Sequence, residues 1–367
     1  MKDVQYKDFS LDFHQKLANT PMVGELELTF ACPIHCDYCY TDCYNKKSEI
    51  EKQLSFEEVV RILDIMRKEG CLWLLLTGGD PMMRRDFFEI YDTAKSKGFF
   101  VTIFASGLLF DERAVKHLKK NPPFSIEVTI MGSNEEVYES ISQVKGSWKR
   151  FLAGVRRVMD AGLPLKLKTI VCKQNYHDLE NIENLLKSWG KEFSPGTTLF
   201  ARLNGDKHPT TLRISPEQVL QVQERFGHHD FEETPRSSQE AIEPYTEPND
   251  HLFKCGAGYD TFRIDPNGRM IFCTTLREPS FDLRHNDDFN AGFKKMFREI
   301  TSMTFQTDSK CRTCTMTHIC KKCAGKGLLE NGDREKHIDY FCELSTLTAQ
   351  KLAQEKEFRE MSYARPD

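Results

Sequence analysis

The chain has no run of 18 or more apolar residues, the length a helical membrane span needs. Its opening stretch, MKDVQYKDFSLDFHQKL, lacks the apolar core of a secretory signal. It also lacks any long basic tract, and its net charge is -4, so nothing electrostatic argues for a nucleic-acid partner. Internal repeats and low-complexity tracts are missing too. These absences point to a cytoplasmic protein of ordinary composition, 39% hydrophobic and 29% charged. Its 367 residues suit two domains, or one large domain with an appendage.

What the chain has in excess is cysteine. Thirteen thiols in a large cytoplasmic protein point to metal or redox chemistry rather than disulfide stapling. Four of them crowd into CPIHCDYCYTDC, residues 32 to 43, directly after the apolar run ELELTF. Cys32, Cys36 and Cys39 form C-x3-C-x2-C, and Cys43 trails. Thiolates bind zinc or iron-sulfur iron. Four closed ligands make a structural site, whereas three leave one metal position open to a small molecule. Spacing alone leaves both readings standing, because Cys43 could close the site.

From residue 25 to about 203 the chain alternates strand-like and helix-like runs. ELELTF, LWLLLTG, FFVTIFASG, SIEVTIMG, LKLKTIVC and TTLFARL read as strands. SFEEVVRILDIMRKEG reads as a helix with Ser55 as N-cap, Glu58 as its capping-box partner and Gly70 as stop. RDFFEIYDTAKSKG, DERAVKHLKK, SWKRFLAGVRRVMDAG and HDLENIENLLKSWG are further helices. Such alternation argues for a parallel α/β sheet or a curved, partial barrel. Chemistry in these folds sits at the carboxyl ends of the strands, where both the cysteine stretch and GGD fall. SPEQVLQVQERF is a short helix capped by Ser215. Residues 227 to 250 read as a polar, proline-rich loop, with His228 and His229 as solvated loop residues. DTFRIDPNGRMIFC reads as a hairpin around DPNG, and LSTLTAQKLAQEKEFREM as a charged terminal helix.

CPIHCDYCY, with Tyr38 just before the third cysteine, resembles the cluster-binding loop of the radical S-adenosylmethionine (radical SAM) superfamily. TGGDP (77 to 81) resembles that superfamily's glycine-rich strand end, usually GGEP, with Asp80 in place of the Glu. Physically, Gly78 and Gly79 let backbone groups approach a ligand closely, and Pro81 sets the turn. FASGLLF (104 to 110) is similar to the family's TNG-type segment, with Ser106 for the Asn. Residues 126 to 155 resemble the fourth-strand region of peptide-modifying members, with Thr129 at the hydroxyl position and Ser142 where an arginine is expected. Gln143, Lys145 or Lys168 is the candidate to replace that arginine's contact. The resemblance implies a cofactor-binding set of Tyr38, Gly78, Gly79, Asp80, Pro81, Ser106, Thr129 and Ser142. Bland readings stand beside it: Thr129 is an ordinary strand threonine, and Asp80 an acid favoured by a helix dipole.

Seven more cysteines lie between Cys255 and Cys342. Cys255, Gly268 and Cys273 form C-x12-G-x4-C, and Cys311, Cys314, Cys320 and Cys323 form C-x2-C-x5-C-x2-C. Paired C-x2-C motifs also suit a zinc ribbon, but one four-thiolate site would leave three of the seven over. The order resembles the SPASM domain, a carboxy-terminal extension of radical SAM enzymes, although the last pair there is usually C-x3-C. The resemblance implies that Cys32, Cys36 and Cys39 hold the SAM cluster. It places Cys311, Cys314, Cys320 and Cys342 around one auxiliary cluster, and Cys255, Cys273 and Cys323 around the other. Asn249 stands where some members have an eighth cysteine, so that second auxiliary cluster would have three thiolates, its fourth iron either open or closed by a non-cysteine ligand. Cys71 reads as a small core residue. Cys172 does too, and is also a candidate hydrogen-atom donor, as in some related epimerases.

The implied fold is α/β, a partial (β/α)6 TIM barrel of the radical SAM type with a cysteine-rich SPASM domain. Its expected parts are an extension (1–22), the barrel (23–206), a bridging helix and loop (207–250), the SPASM domain (251–345) and a terminal helix (346–367). The implied cofactors are three [4Fe-4S] clusters and S-adenosyl-L-methionine, whose cleavage yields a 5'-deoxyadenosyl radical that takes a hydrogen atom from the substrate. The implied activity is a thioether or C–C crosslink in a ribosomally made precursor peptide. Epimerisation and anaerobic sulfatase maturation are the alternatives, the latter opposed by Thr274 where those enzymes carry an aspartate. A zinc-stabilised binding module is the alternative of another class. The expected partners are the precursor peptide and a flavodoxin- or ferredoxin-type electron donor. With 31 residues ahead of Cys32, a separate peptide-recognition protein is expected as well.

Overall fold

The computed structural model describes residues 20–41, 45–226, 250–253, 258–317 and 319–363. Cys43, His228, His229, Asn249 and Cys255 lie outside the described residues, as do the expected extension up to residue 19 and most of the 227–250 loop. No described helix is long and apolar enough to cross a membrane.

Strands β1 (Val23–Thr29), β2 (Trp73–Gly78), β3 (Phe100–Ala105), β4 (Ser125–Thr129), β5 (Leu165–Ile170) and β6 (Pro195–Gly196) pair in chain order, all parallel. The helices between them are α1 (Phe56–Lys68), α2 (Phe87–Ser96), α3 (Glu112–Lys120), α4 (Glu135–Ser142), α5 (Ser147–Asp160) and α6 (Leu179–Ser188). Helix α1 starts where its sequence dictates. The Ser55 side chain accepts from the Glu58 N–H, and the Glu58 carboxylate accepts from the Ser55 N–H in return. Val59, Ile62, Leu63 and Met66 recur at helical spacing and are all buried.

On each strand one face serves the core beneath the helices and the other the barrel interior. On β1 the core face carries Leu26 and Leu28, almost wholly buried, while the interior face carries Glu25 and Glu27. Carboxylates on an inner face are costly unless paired. They are paired here, because a further strand lies against the β1 edge. Strand β7 (Thr261–Ile264) runs parallel to β1 and brings Arg263 to Glu25 and Glu27. Strands β8 (Arg269–Ile271) and β9 (Phe281–Asp282) continue antiparallel from β7, so nine strands form one sheet ending at β6 and β9. The sheet is an unclosed, partial barrel. Gly268 makes the β7–β8 turn possible: it sits at φ +88°, and the Asp265 carboxylate accepts from the Asn267 and Arg269 N–H groups.

TTLFARL does not form the expected sixth strand. The ladder stops after two residues, Pro195 and Gly196. The backbone that follows bonds elsewhere. The Arg213 guanidinium donates twice to the Leu199 carbonyl, at 3.1 and 2.8 Å, and the Leu203 N–H donates to the Tyr40 carbonyl at 2.9 Å. Arg213 also pairs with Glu330 of α7 (Ala324–Asn331) and lies over the rings of Tyr340 and Phe341 in the last described helix, α8 (Asp339–Tyr363). Both charges are nearly buried, the setting in which breaking the pair costs far more than forming it gains. The carboxy-terminal helices are thereby tied to the last barrel segment.

Candidate active site

The loop after β1 forms no ladder, so its backbone groups bond to whatever surrounds them. Asn45, at φ +53°, takes both backbone groups of Cys32: its Oδ1 accepts from the Cys32 N–H at 3.0 Å and its Nδ2 donates to the Cys32 carbonyl at 2.9 Å. The last carbonyls of α4 hold the next turn, Ser142 accepting from the His35 N–H and Ile141 from the Asp37 N–H, both at 2.9 Å. The Asp37 carboxylate bonds to Gln174 at 2.7 Å and to His208 at 2.6 Å, and Arg202 donates to the Cys39 carbonyl at 3.3 Å. Asn45, Gln174, Arg202 and His208 were not singled out in the sequence. Only the αL-tolerant Asn45 carried a local signal.

This scaffold places Cys32, Cys36, Tyr38 and Cys39 in the wall of one cavity at the carboxyl ends of β1 to β4. Gly78, Gly79, Ser106 and Thr129 line the same cavity. Burial pushes the Cys36 thiol well above its usual range, with Cys39 and Cys32 adding to the shift. Burial raises the Cys39 thiol as well, and thiols that do not ionise readily alone are donors that metal coordination would convert to thiolates. Among the described residues no three His, Cys, Asp or Glu side chains converge as a single-ion site does. A cubane takes thiolates around its corners rather than at one point, and the set fits a cubane with one iron left for another ligand.

Four expected site residues do not line the cavity. Asp80 is fully buried, and its carboxylate accepts from the Met82 N–H at 3.0 Å, the Ser106 N–H at 2.9 Å and the Ser106 hydroxyl at 2.5 Å. It braces the end of β2 against the end of β3 rather than reaching into the cavity. Burial raises its pKa, and the Ser106 hydroxyl and N–H oppose the shift. Replacing Asp80 by Ala strands a buried Ser106 N–H, at an expected cost of about 1–3 kcal/mol read from the urea midpoint. Pro81 is buried at the start of a short 3-10 turn. Ser142 is fully buried, and its hydroxyl bonds to Ser147 at 2.7 Å. Its contribution is the carbonyl that holds His35. Cys172 is buried behind the loop, where burial raises its thiol to about 11 and its N–H donates to Asn175. Of the three candidate substitutes for the missing arginine, Gln143 and Lys145 are exposed, and Lys168 pairs with Glu127. The cation that does line the cavity is Arg277.

The GGD segment does more than admit a ligand. Its backbone clasps the start of the cysteine loop, the Gly79 N–H donating to Thr29 at 2.7 Å and the Asp80 N–H to Ala31 at 2.8 Å.

The second cysteine group also gathers. Cys311, Cys314, Cys320, Cys323 and Cys342 all line one cavity. Cys273 and Cys323 approach each other through Thr275, whose hydroxyl lies 3.2 Å from the Cys273 sulfur and 4.0 Å from that of Cys323. Cys323 caps α7, its sulfur accepting from the Lys326 N–H at 3.4 Å. None of the described cysteines is in a disulfide.

Residues 26–186 match the Radical SAM superfamily. A PqqA peptide cyclase of Granulibacter bethesdensis is 32% identical over 46% of this chain and 44% of its own length. The chain thus spans less than half of that curated relative. Streptococcus suis SuiB bound to the precursor peptide SuiA superposes with a TM-score of 0.68 at 15% identity, over 92% of this chain and 79% of SuiB. The enzyme anSMEcpe with bound AdoMet and the Cp18Cys peptide superposes with a TM-score of 0.66 at 14% identity, over 94% and 100% of the two chains. At those identities the two likenesses establish the fold alone.

Proposed function

We propose that this chain is a radical SAM enzyme that modifies a peptide by hydrogen-atom abstraction and installs a thioether or carbon–carbon crosslink. One observation carries the reading: three thiols of one loop share a cavity with both glycines of GGD, Ser106 and Thr129. Cys32, Cys36 and Cys39 would hold the cluster, and Gly78, Gly79, Ser106 and Thr129 would border S-adenosylmethionine. Together these groups supply a carbon radical able to break an unactivated C–H bond. The chain's own residues do the rest. The missing side chains of Gly78 and Gly79 let the start of the cysteine loop close against them, and the two glycines line the cavity. Ser106 is oriented by Asp80, and Tyr38 closes the wall beside Cys36.

Cys311, Cys314, Cys320 and Cys342 would hold one auxiliary cluster. Cys273 and Cys323, with Cys255, would hold another. A flavodoxin- or ferredoxin-type protein would deliver electrons. The peptide cyclase relative, and the peptides bound by SuiB and anSMEcpe, support a peptide substrate here. Thr274 offers no carboxylate beside Cys273, which disfavours sulfatase maturation.

Anaerobic reconstitution with iron and sulfide, then S-adenosylmethionine and dithionite, is expected to yield 5'-deoxyadenosine and methionine. Co-expression with a short peptide encoded beside the gene is expected to produce a peptide lacking two hydrogen atoms, seen by mass spectrometry. A zinc-loaded, iron-free protein would sink the enzyme reading. A peptide of unchanged mass that gains deuterium from heavy water would replace crosslinking by epimerisation.

A further inference from the structure

Arg277 has no sequence motif to announce it, yet it lines the cavity beside the cysteine loop. Its side chain is 20% exposed, and among the described residues its buried Nε has no hydrogen-bond partner. A buried guanidinium N–H left unpaired is costly, and sites that tolerate one usually reserve it for a ligand. The Glu27 carboxylate lies 3.7 Å from Nη1, beyond hydrogen-bond range. That carboxylate is already engaged by Arg263 at 3.2 Å, and Arg263 is also bound by Glu25. The interior charges therefore nearly balance, but the donors do not: Arg277 keeps a free Nε–H. The Tyr38 hydroxyl, in the same cavity, is also buried without a partner.

We propose that Arg277, assisted by the Tyr38 hydroxyl, binds a carboxylate of the substrate peptide and so selects for an acidic residue near the reacting position. The inference rests on the peptide reading above. A guanidinium presents parallel donors that match a carboxylate, and in a water-poor cavity such a pair is far stronger than at the surface. The segment carrying Arg277 follows β8, which pairs with β7, the strand beside β1, and it brings the guanidinium into the cavity wall from the carboxy-terminal half of the chain. A peptide entering that cavity meets it alongside the cysteine loop.

The test is selection of a random linear peptide library displayed on phage, panned anaerobically on the iron-loaded full chain. The wild type is expected to enrich Asp- or Glu-bearing peptides at least tenfold. Arg277→Lys should keep that preference, and Arg277→Glu should reverse it towards Lys and Arg. Equal iron content and far-UV circular dichroism in the three proteins establish that the fold is intact. Acidic enrichment that survives in Arg277→Glu overturns the proposal while leaving the peptide reading in place. No enrichment of any peptide on the wild type overturns both.

A second arm separates the other source of a carboxylate, the cofactor itself. S-adenosylmethionine and its decarboxylated analogue are titrated into wild type and Arg277→Gln. The ratio of their affinities is expected to be the same in both proteins. A ratio that collapses in the variant assigns Arg277 to the cofactor and overturns the proposal.

Discussion

Cys36→Ala is expected to abolish formation of 5'-deoxyadenosine and to remove about four irons per chain, one cubane's worth. The argument is geometric. Cys36 is the middle thiol of the loop, between Cys32, held on both backbone groups by Asn45, and Cys39, whose N–H donates back to the Cys36 carbonyl at 2.9 Å. The loop is held from outside as well, by the last carbonyls of α4 at His35 and Asp37 and by Arg202 at Cys39. A loop held at so many points keeps Cys32 and Cys39 where they are, and two thiolates do not retain a cubane. Iron is measured colorimetrically on anaerobically reconstituted protein and the nucleoside by chromatography. Cys71→Ala is the control. Cys71 is equally buried, with its thiol raised to about 12, but it packs against β1 far from the loop. It is expected to keep both its iron and its activity. If Cys36→Ala cleaves S-adenosylmethionine at the wild-type rate, the loop does not hold the catalytic cluster.

Gly79→Ala is expected to cost about 2–4 kcal/mol of stability, among the larger effects of a single methyl group. A Cβ at Gly79 would lie 2.4 Å from the Ala31 carbonyl oxygen, and the obstacle is backbone, which cannot rotate away. The same Cβ would part the Gly79–Thr29 and Asp80–Ala31 hydrogen bonds that join the end of β2 to the entrance of the cysteine loop. Two consequences are expected together: a lower urea midpoint, and weaker S-adenosylmethionine binding by whatever protein remains folded. Gly190→Ala is the comparison. Gly190 ends a helix at φ +66° with open space around its Cβ position, so alanine there costs only the strain of that backbone, about 1 kcal/mol. A Gly79→Ala protein as stable as Gly190→Ala would show that the two chains can part without loss.

Much of this protein is written locally. The capping box at Ser55 and Glu58, the buried stripe Val59, Ile62, Leu63 and Met66, and the apolar strands each depend on neighbours within one turn or one pleat. The parallel α/β order follows from the repeated strand–helix alternation. The cysteine spacing and GGD, both just after strands, were enough to locate the cavity. The rest depends on residues far apart in sequence. Asp80 occupies the place of a ligand-facing acid in its motif, yet its short side chain turns to Ser106, 26 positions away. TTLFARL has strand composition, but Arg213 and Tyr40 take the backbone groups a ladder would have used. Arg277 looks like any surface arginine until β7 pairs with β1 and carries the following segment over the barrel opening. By itself, then, the sequence determined the elements, the thiol-bearing loop and the end of the barrel where chemistry belongs, because each rests on contacts between near neighbours. Only the tertiary structure decided which side chains brace the loop and which cation faces the cavity, because those contacts join segments that nothing in their local patterns connects.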